Sequence, residues 1–230
     1  AAFGHRPAPG LTRGHAVTLN RVLLACLLLG LAGWWFSARP GRGEALPAAV
    51  HAGGSGCRLP PSITRSGPPL QSDVPDGLAP FPMAGSRLVP LAGFSLDGRV
   101  LSRKDYRSGR EADWSPTDLA PGWDGMARDE VLDRLDIRQS GRWYHYRWRD
   151  DPPLPPREIA SSSANMHMIP ASTEIARTLA GIRAGQQVRI DGWLVEVQAD
   201  DGWRWRSSTS RTDTGGGACE VVYVCGLSAM

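Results

Sequence analysis

The feature that most constrains this chain is an apolar run near its N-terminus. All fifteen residues from Val22 to Phe36 are apolar or Gly, and the weakly polar flanks extend the run to residues 16–38. A bilayer core requires about 20 helical residues, so this length is sufficient to span a membrane. Arg21 lies where its long side chain can reach the headgroups, and the three aromatic residues at the other end are typical of a membrane interface. The run predicts a single transmembrane helix over residues 16–38, in contact with the lipid bilayer. The residues expected to anchor it are Val22, Leu23, Leu24, Leu27, Leu28, Leu29, Leu31, Trp34, Trp35 and Phe36.

A cleaved signal peptide, a lipoprotein site at Cys26 and a buried core helix are the alternatives to this anchor. The apolar run continues ten residues past Cys26, so acylation there would divide it. A core helix would need a polar face at helical spacing, which the run lacks. More basic residues precede the run than follow it, which favours a cytoplasmic tail at residues 1–15 and an extracytoplasmic remainder. The predicted location is a bacterial inner membrane, either cytoplasmic or photosynthetic, crossed once.

Residues 39–92 are rich in Pro, Gly, Ser and Ala and show no sustained helical or strand period. Such composition buries little apolar surface, so we predict an extended linker here, followed by a soluble domain over residues 93–230. The larger apolar residues of the linker are predicted to contact partner proteins intermittently. They are Leu59, Ile63, Leu70 and Phe81.

The charge distribution argues against nucleic acid as a partner. Residues 1–96 carry +5, from eight Arg and three acids, and residues 97–230 carry −2, from 18 basic and 20 acidic groups. A nucleic-acid-binding domain needs a concentrated basic face, which a slightly acidic domain does not provide.

The local patterns of the domain predict a mainly β, α+β fold. Asp97-Gly98 is typical of a type I′ turn, so residues 94–101 are expected to form a hairpin. Ser115-Pro116 is typical of a helix start. Residues 142–148 alternate as a strand, and a helix capped by Ser172 is expected after Pro170.

The remaining segments, from residue 187 to 225, have the spacing of a strand meander. The predicted architecture is a small twisted antiparallel sheet or a five-strand barrel of the oligonucleotide-binding (OB) type.

Two segments carry a family resemblance: Ser163-Ala-Asn165-Met-His167-Met-Ile-Pro170 and Asp213-Thr-Gly-Gly-Gly-Ala218-Cys219-Glu220. With Gly122-Trp123 and Arg142-Trp-Tyr144, they resemble a family of bacterial membrane-anchored proteins without a characterised activity. The resemblance covers about residues 94–225. Because that family has no characterised activity, the resemblance implies no catalytic residues.

Cys219 and His167 are the residues best suited to covalent chemistry. A thiol with His167 as base and Asn165 or Asp213 as orienting group would form a Cys–His acyl-transfer site. The alternative is a core or disulfide cysteine at the start of a final strand. His145, His167 and Cys219 contain no closely spaced ligand pair, and no haem-attachment motif is present, so we expect neither a metal site nor a cofactor.

Three cysteines follow the apolar run. Cys219 and Cys225 are six residues apart, about 20 Å in an extended strand, and cannot pair with each other there. Cys57 is able to pair with either of them, which would attach the Pro-rich segment to the domain. Three free thiols are the alternative.

Aromatic and arginine residues alternate along two predicted strands. Trp, Tyr and Arg dominate the energetics of protein interfaces, so we predict that these aromatics contact a partner protein, although packing in the domain core is an equal alternative. The aromatics concerned are Trp143, Tyr144, Trp148, Trp203 and Trp205.

Together these features predict a non-catalytic accessory subunit of a larger bacterial membrane complex, anchored by one helix and clamping neighbouring subunits. A bioenergetic assembly, such as a photosynthetic reaction centre with its antenna, is the preferred class. The alternatives are a membrane-anchored envelope thiol enzyme using Cys219 and His167, and a free-standing envelope binding module.

Overall fold

The computed structural model describes residues 23–24, 26–30, 57–210, 213 and 217–230. Of the predicted anchor, only residues 23–24 and 26–30 are described, and they are helical with exposed leucines. The other predicted anchor residues, the tail 1–15 and residues 39–56 lie outside the described part. Among the described residues, no helix combines the length and apolarity needed to cross a membrane.

The unit Leu46–Met230 is built mainly from strands, as the sequence predicts. Its described helices are short: Asp129–Leu132, Pro156–Ser161 and Thr173–Gly181, with 3-10 turns at Arg110–Asp113 and Asp124–Ala127. The strands are β1 (Leu70–Ser72), β2 (Phe81–Met83), β3 (Ser86–Asp105), β4 (Thr117–Gly122), β5 (Leu135–Ser140), β6 (Trp143–Trp148), β7 (Met166–Pro170), β8 (Gln187–Ala199), β9 (Arg204–Arg206) and β10 (Glu220–Ala229).

Five of these strands pair in a closed cycle. β3 pairs with β4, β4 with β7, β7 with β10, β10 with β8, and β8 pairs back to β3. β1 and β2 pair with β3, and β9 pairs with β8. The pairing of β7 with β10 is parallel, so the sheet is mixed and not the purely antiparallel one expected. A parallel pair needs a long connection, which the helix, β8 and β9 supply here.

The interior of the cycle is apolar. Phe94, Leu119 and Val222 come from three different strands and are fully buried in one cluster. The helix Thr173–Gly181 packs Leu179 against the same cluster. The backbone N–H of Ile175 donates to the Ser172 hydroxyl at 3.2 Å, so the predicted cap is confirmed.

Two local predictions within the barrel are wrong. β3 runs without a turn through Asp97 and Gly98, which pair with β8. A Cβ at Gly98 would lie 2.9 Å from the carbonyl oxygen of Gly122, so this glycine permits a close approach of two strands. The helix expected after Ser115-Pro116 is instead strand β4, because its backbone pairs with β3 on one side and with β7 on the other, and its residues are buried.

Part of the predicted linker belongs to the folded domain. β1, β2 and the beginning of β3 lie before residue 93, and a disulfide joins Cys57 to Cys225. Ile63 is buried, and Phe81 packs against Tyr223 with 4.9 Å between ring centroids. The segment has too few apolar residues to fold alone, but the barrel wall and the disulfide supply the contacts that it lacks. Ile63 and Phe81 thus contact their own domain, whereas Leu59 and Leu70 are exposed.

Candidate functional site

A charged pair is buried where β4 and β7 lie side by side. Asp118 and His167 are directly opposed in the antiparallel register, and they are 0% and 3% exposed. His167 Nδ1 is 2.9 Å from Asp118 Oδ1. The Nδ1–H is not aligned with that oxygen, so the contact is an ion pair rather than a well-formed hydrogen bond. A buried charge of this kind requires compensation from its surroundings.

The tip of the β5–β6 hairpin supplies an opposite charge to Asp118. Gly141 and Arg142 form the two-residue turn, with φ of 56° and 68°, as type I′ turns require. Arg142 Nη1 donates to Asp118 Oδ1 at 2.6 Å. Its backbone N–H donates to the Tyr106 hydroxyl at 3.0 Å, and its guanidinium lies 3.9 Å over the Tyr106 ring. A positive φ is uncommon outside glycine, and here it directs an arginine into the domain.

Two amide side chains fasten the same tip. Gln139 Nε2 donates to Asn165 Oδ1 at 2.6 Å, and Asn165 Nδ2 donates to the Arg142 carbonyl oxygen at 3.1 Å. Both residues are buried. The hairpin tip is therefore fixed to the barrel by one charged and two amide contacts.

The thiol of Cys219 borders this cluster. Cys219 is free and half-buried, and its Sγ lies 3.9 Å from both Asn165 Nδ2 and the Arg142 carbonyl oxygen. Burial alone would lower the pKa of His167, but its contacts with Asp118 and with Cys219 raise that pKa to about 9. The Trp205 ring lies against the His167 ring, with 4.8 Å between centroids.

The structure brings together some of the predicted site residues and not others. Asn165 Nδ2 lies 3.9 Å from Cys219 Sγ, and Cys219 is among the groups that raise the pKa of His167. The Asp213 carboxylate instead accepts a 2.6 Å hydrogen bond from the Ser208 hydroxyl, and the carboxylate beside His167 is that of Asp118.

Sequence reasoning missed Asp118, Arg142 and Tyr106 as members of the cluster. Asp118 was assigned to a predicted helix, and Arg142 to the start of a strand. No local pattern signals that these residues meet, because the meeting depends on strand register and on the docking of the hairpin tip. Among the described residues, no group of three His, Cys, Asp or Glu side chains is placed to bind a metal ion.

The β5–β6 hairpin has one face toward the domain and one toward solvent. Along β6, Tyr144 and Trp148 are half-buried, whereas Trp143, His145 and Arg147 are exposed, which confirms the predicted alternation. Trp143 is 44% exposed, unusually high for such a large apolar side chain.

The other predicted contact aromatics pack within the chain itself. Trp203 stacks on Trp114 with 5.3 Å between ring centroids, and Trp205 covers His167. Trp148 stacks on Tyr146 beneath the hairpin. These rings therefore contribute to the stability of the domain, and Trp143 is the aromatic that the hairpin leaves exposed.

Comparison with known proteins gave no match to any family model, any curated protein or any solved structure.

Proposed function

We propose that this chain is a membrane-anchored, non-catalytic accessory subunit whose barrel holds the β5–β6 hairpin against a neighbouring subunit of a larger bacterial membrane complex. The exposed face of that hairpin carries the proposal. It presents Trp143 beside exposed charged residues that follow the same alternation. These are Asp136, Arg138, His145 and Arg147.

The strand pairing supports a binding role for the domain. Counted along the chain, the strands of the cycle are β3, β4, β7, β8 and β10. The third and fifth of them, β7 and β10, pair in parallel, and the helix Thr173–Gly181 lies between the third and the fourth. With the pairing order β3-β4-β7-β10-β8, this is the arrangement of OB barrels. Such barrels are mostly scaffolds for binding surfaces, and the fold alone does not fix the ligand. The −2 charge of residues 97–230 disfavours nucleic acid and favours a protein partner.

The composition of the exposed face suits a protein interface. Trp and Arg are the residues most often found where binding energy is concentrated. The Asp118–Arg142 contact holds the tip in place before a partner arrives, so little conformational entropy would be lost on binding. With two Arg and one Asp, the face carries a net charge of +1, which suits a partner surface with acidic groups around an apolar patch.

The disulfide and the apolar run support the location. A bond between Cys57 and Cys225 is favoured in an oxidising, extracytoplasmic compartment. The apolar run over residues 16–38 has the length to hold the domain at the lipid bilayer. Among bacterial membrane complexes, our narrower proposal is a bioenergetic assembly, such as a photosynthetic reaction centre with its antenna. We propose no cofactor for this chain.

The hairpin can be tested directly in native membranes. The double variant Trp143→Ala, Arg147→Ala removes the largest apolar group and one charge from the exposed face without touching the buried cluster. After mild detergent extraction, we expect the wild-type chain to sediment with larger subunits at fixed stoichiometry and the double variant to sediment as a monomer. Met230→Ala is the matched control, because Met230 is exposed and lies outside the hairpin. A wild-type chain that sediments alone, or a double variant that stays in the complex, would contradict the proposal.

A further inference from the structure

The outer edge of the β5–β6 hairpin has backbone groups that remain available for pairing. The turn Gly141-Arg142 is flanked by Ser140 and Trp143, which face each other and form the hydrogen-bonded pair of a two-residue turn. Hydrogen-bonded and non-hydrogen-bonded pairs alternate along an antiparallel ladder, so Tyr144 and Tyr146 direct their N–H and C=O groups away from β5. Among the described strands, β6 pairs with β5 alone, and these outward groups have no hydrogen-bond partner in the described part of the chain.

This edge lacks features that commonly block strand pairing. Natural edge strands are often very short, or they carry a proline or a bulge. The described strands β1, β2 and β9, each of which pairs with one neighbour only, have three residues each, and β2 contains Pro82. In contrast, β6 has six residues in unbroken register with β5 and contains no proline. A strand of this length and regularity is open to the addition of another strand.

The side chains of β6 are complementary to those of a second copy of the same strand. Consider two antiparallel β6 strands related by a two-fold axis at His145. Trp143 of each copy then lies opposite Arg147 of the other, and Tyr144 lies opposite Tyr146. The tyrosine pairs are the hydrogen-bonded ones in this register, so the outward N–H and C=O groups of both tyrosines are satisfied. Aromatic cross-strand pairs and an arginine over a tryptophan ring are both favourable contacts.

The exposed side chains of β6 are free to make these contacts. Trp143 is 44% exposed, and the Arg147 side chain is 72% exposed. Within its own hairpin, Arg147 approaches Asp136 only at 3.4 Å, and Asp136 has a closer partner in Arg138 at 2.9 Å. Directly opposed residues in non-hydrogen-bonded positions have Cβ atoms about 4.5–5.5 Å apart, which brings the guanidinium within reach of the opposite ring. Arg147 thus lies opposite an aromatic group and not opposite another arginine.

We propose that two copies of this chain pair through their β6 strands and form a continuous four-stranded antiparallel sheet centred on His145. The interface is isologous, because the same strand contributes from both copies, and such pairing closes at two chains. The exposed faces of the two hairpins then lie side by side on one surface. This pairing is independent of the proposed accessory role, because it uses the edge of the hairpin and leaves the face above the paired strands open to a neighbouring subunit.

Cysteine crosslinking of the full chain in native membranes tests the pairing and its register together. All variants carry Cys26→Ser, and dimers are detected on non-reducing gels after oxidation with copper phenanthroline. The Cα atoms of an opposed non-hydrogen-bonded pair are about 4.5 Å apart, within the range of a disulfide, so His145→Cys should form covalent dimers. Trp143→Cys or Arg147→Cys alone should not, because the two copies of each residue lie about 13 Å apart along the strands. Coexpression of these two variants should yield the mixed dimer.

A second pair of variants tests the backbone hydrogen bonds. Tyr146→Pro removes an N–H that points away from β5, a position where an edge strand tolerates proline. Tyr146→Ala is the matched control, because it removes the same ring and keeps the N–H. In the His145→Cys chain, Tyr146→Pro should lower the yield of dimer at least about tenfold relative to Tyr146→Ala, since the symmetric dimer loses two interchain hydrogen bonds.

Three results would each overturn the proposal. The first is the absence of a covalent dimer with His145→Cys above the level of the parent chain, which keeps Cys219. The second is equal dimer formation by the three single-cysteine variants, which indicates random collision. The third is the same yield of dimer for Tyr146→Pro and Tyr146→Ala.

Discussion

Replacing Arg142 by glycine tests whether the hairpin tip is held by the buried charge of Asp118. The substitution removes the 2.6 Å contact to a fully buried carboxylate. Removing one partner of a buried ion pair costs about 3–5 kcal/mol, and here the nearby His167 offsets part of this cost. Glycine also relieves the positive φ of 68° at this position, which contributes about 1 kcal/mol in the opposite direction. The expected net loss in the free energy of unfolding is about 3 kcal/mol, or roughly 6–12 °C in Tm for a domain of this size.

Equilibrium unfolding in urea, followed by tryptophan fluorescence, measures this loss. Arg138→Ala is the matched control, because Arg138 lies on the same hairpin but pairs with Asp136 at the surface. Exposed pairs contribute little, so we expect its midpoint to be unchanged. If Arg142→Gly unfolds within about 1 kcal/mol of wild type at an unchanged m-value, Arg142 does not compensate Asp118, and the tip is held by the amide contacts of Gln139 and Asn165.

Two further predictions concern other parts of the domain. Cys57→Ser and Cys225→Ser each remove the same disulfide, so under oxidising conditions each should lower the free energy of unfolding by about 2–4 kcal/mol. If wild type and variants are equally stable in urea, the disulfide does not form. The pKa of Glu196 is lowered by a hydrogen bond from Gln198, then by one from Arg206, and by the charges of Arg206 and Arg204. The contribution of Glu196 to stability is therefore present above the unfolded pKa of about 4.5 and is lost as the pH falls through the folded pKa. Glu196→Gln should therefore flatten the acid side of the stability profile, and a profile parallel to wild type between pH 3 and pH 6 would contradict this assignment.

Some features of the fold follow from short stretches of sequence. The alternation along residues 142–148 predicts the two faces of β6, and Ser172 with the apolar residues that follow predicts the helix Thr173–Gly181. Both depend on periodicity and capping, which involve neighbours within a few residues. The cysteine positions also restrict the disulfide to Cys57 with one of two partners, of which the structure selects Cys225.

Turn and linker signals were wrong where tertiary contacts outweighed them. Asp97-Gly98 is a good turn sequence, yet it lies inside the long strand β3, because pairing with β8 on one side satisfies its backbone. The Pro-rich residues after Cys57 lack apolar groups of their own, but they fold against a barrel wall that the local composition does not reveal.

The candidate site, like the fold, was predicted from the sequence only in part. The sequence by itself identified His167, Cys219 and Asn165 as residues with the chemistry for a thiol site. Only the tertiary structure placed Asp118 beside His167 and brought Arg142 to Asp118, because these contacts depend on strand register and on the docking of a hairpin between segments far apart in the chain. Residue types follow from the sequence directly, whereas the electrostatic environment that changes their chemistry is created by burial and by neighbours from other strands.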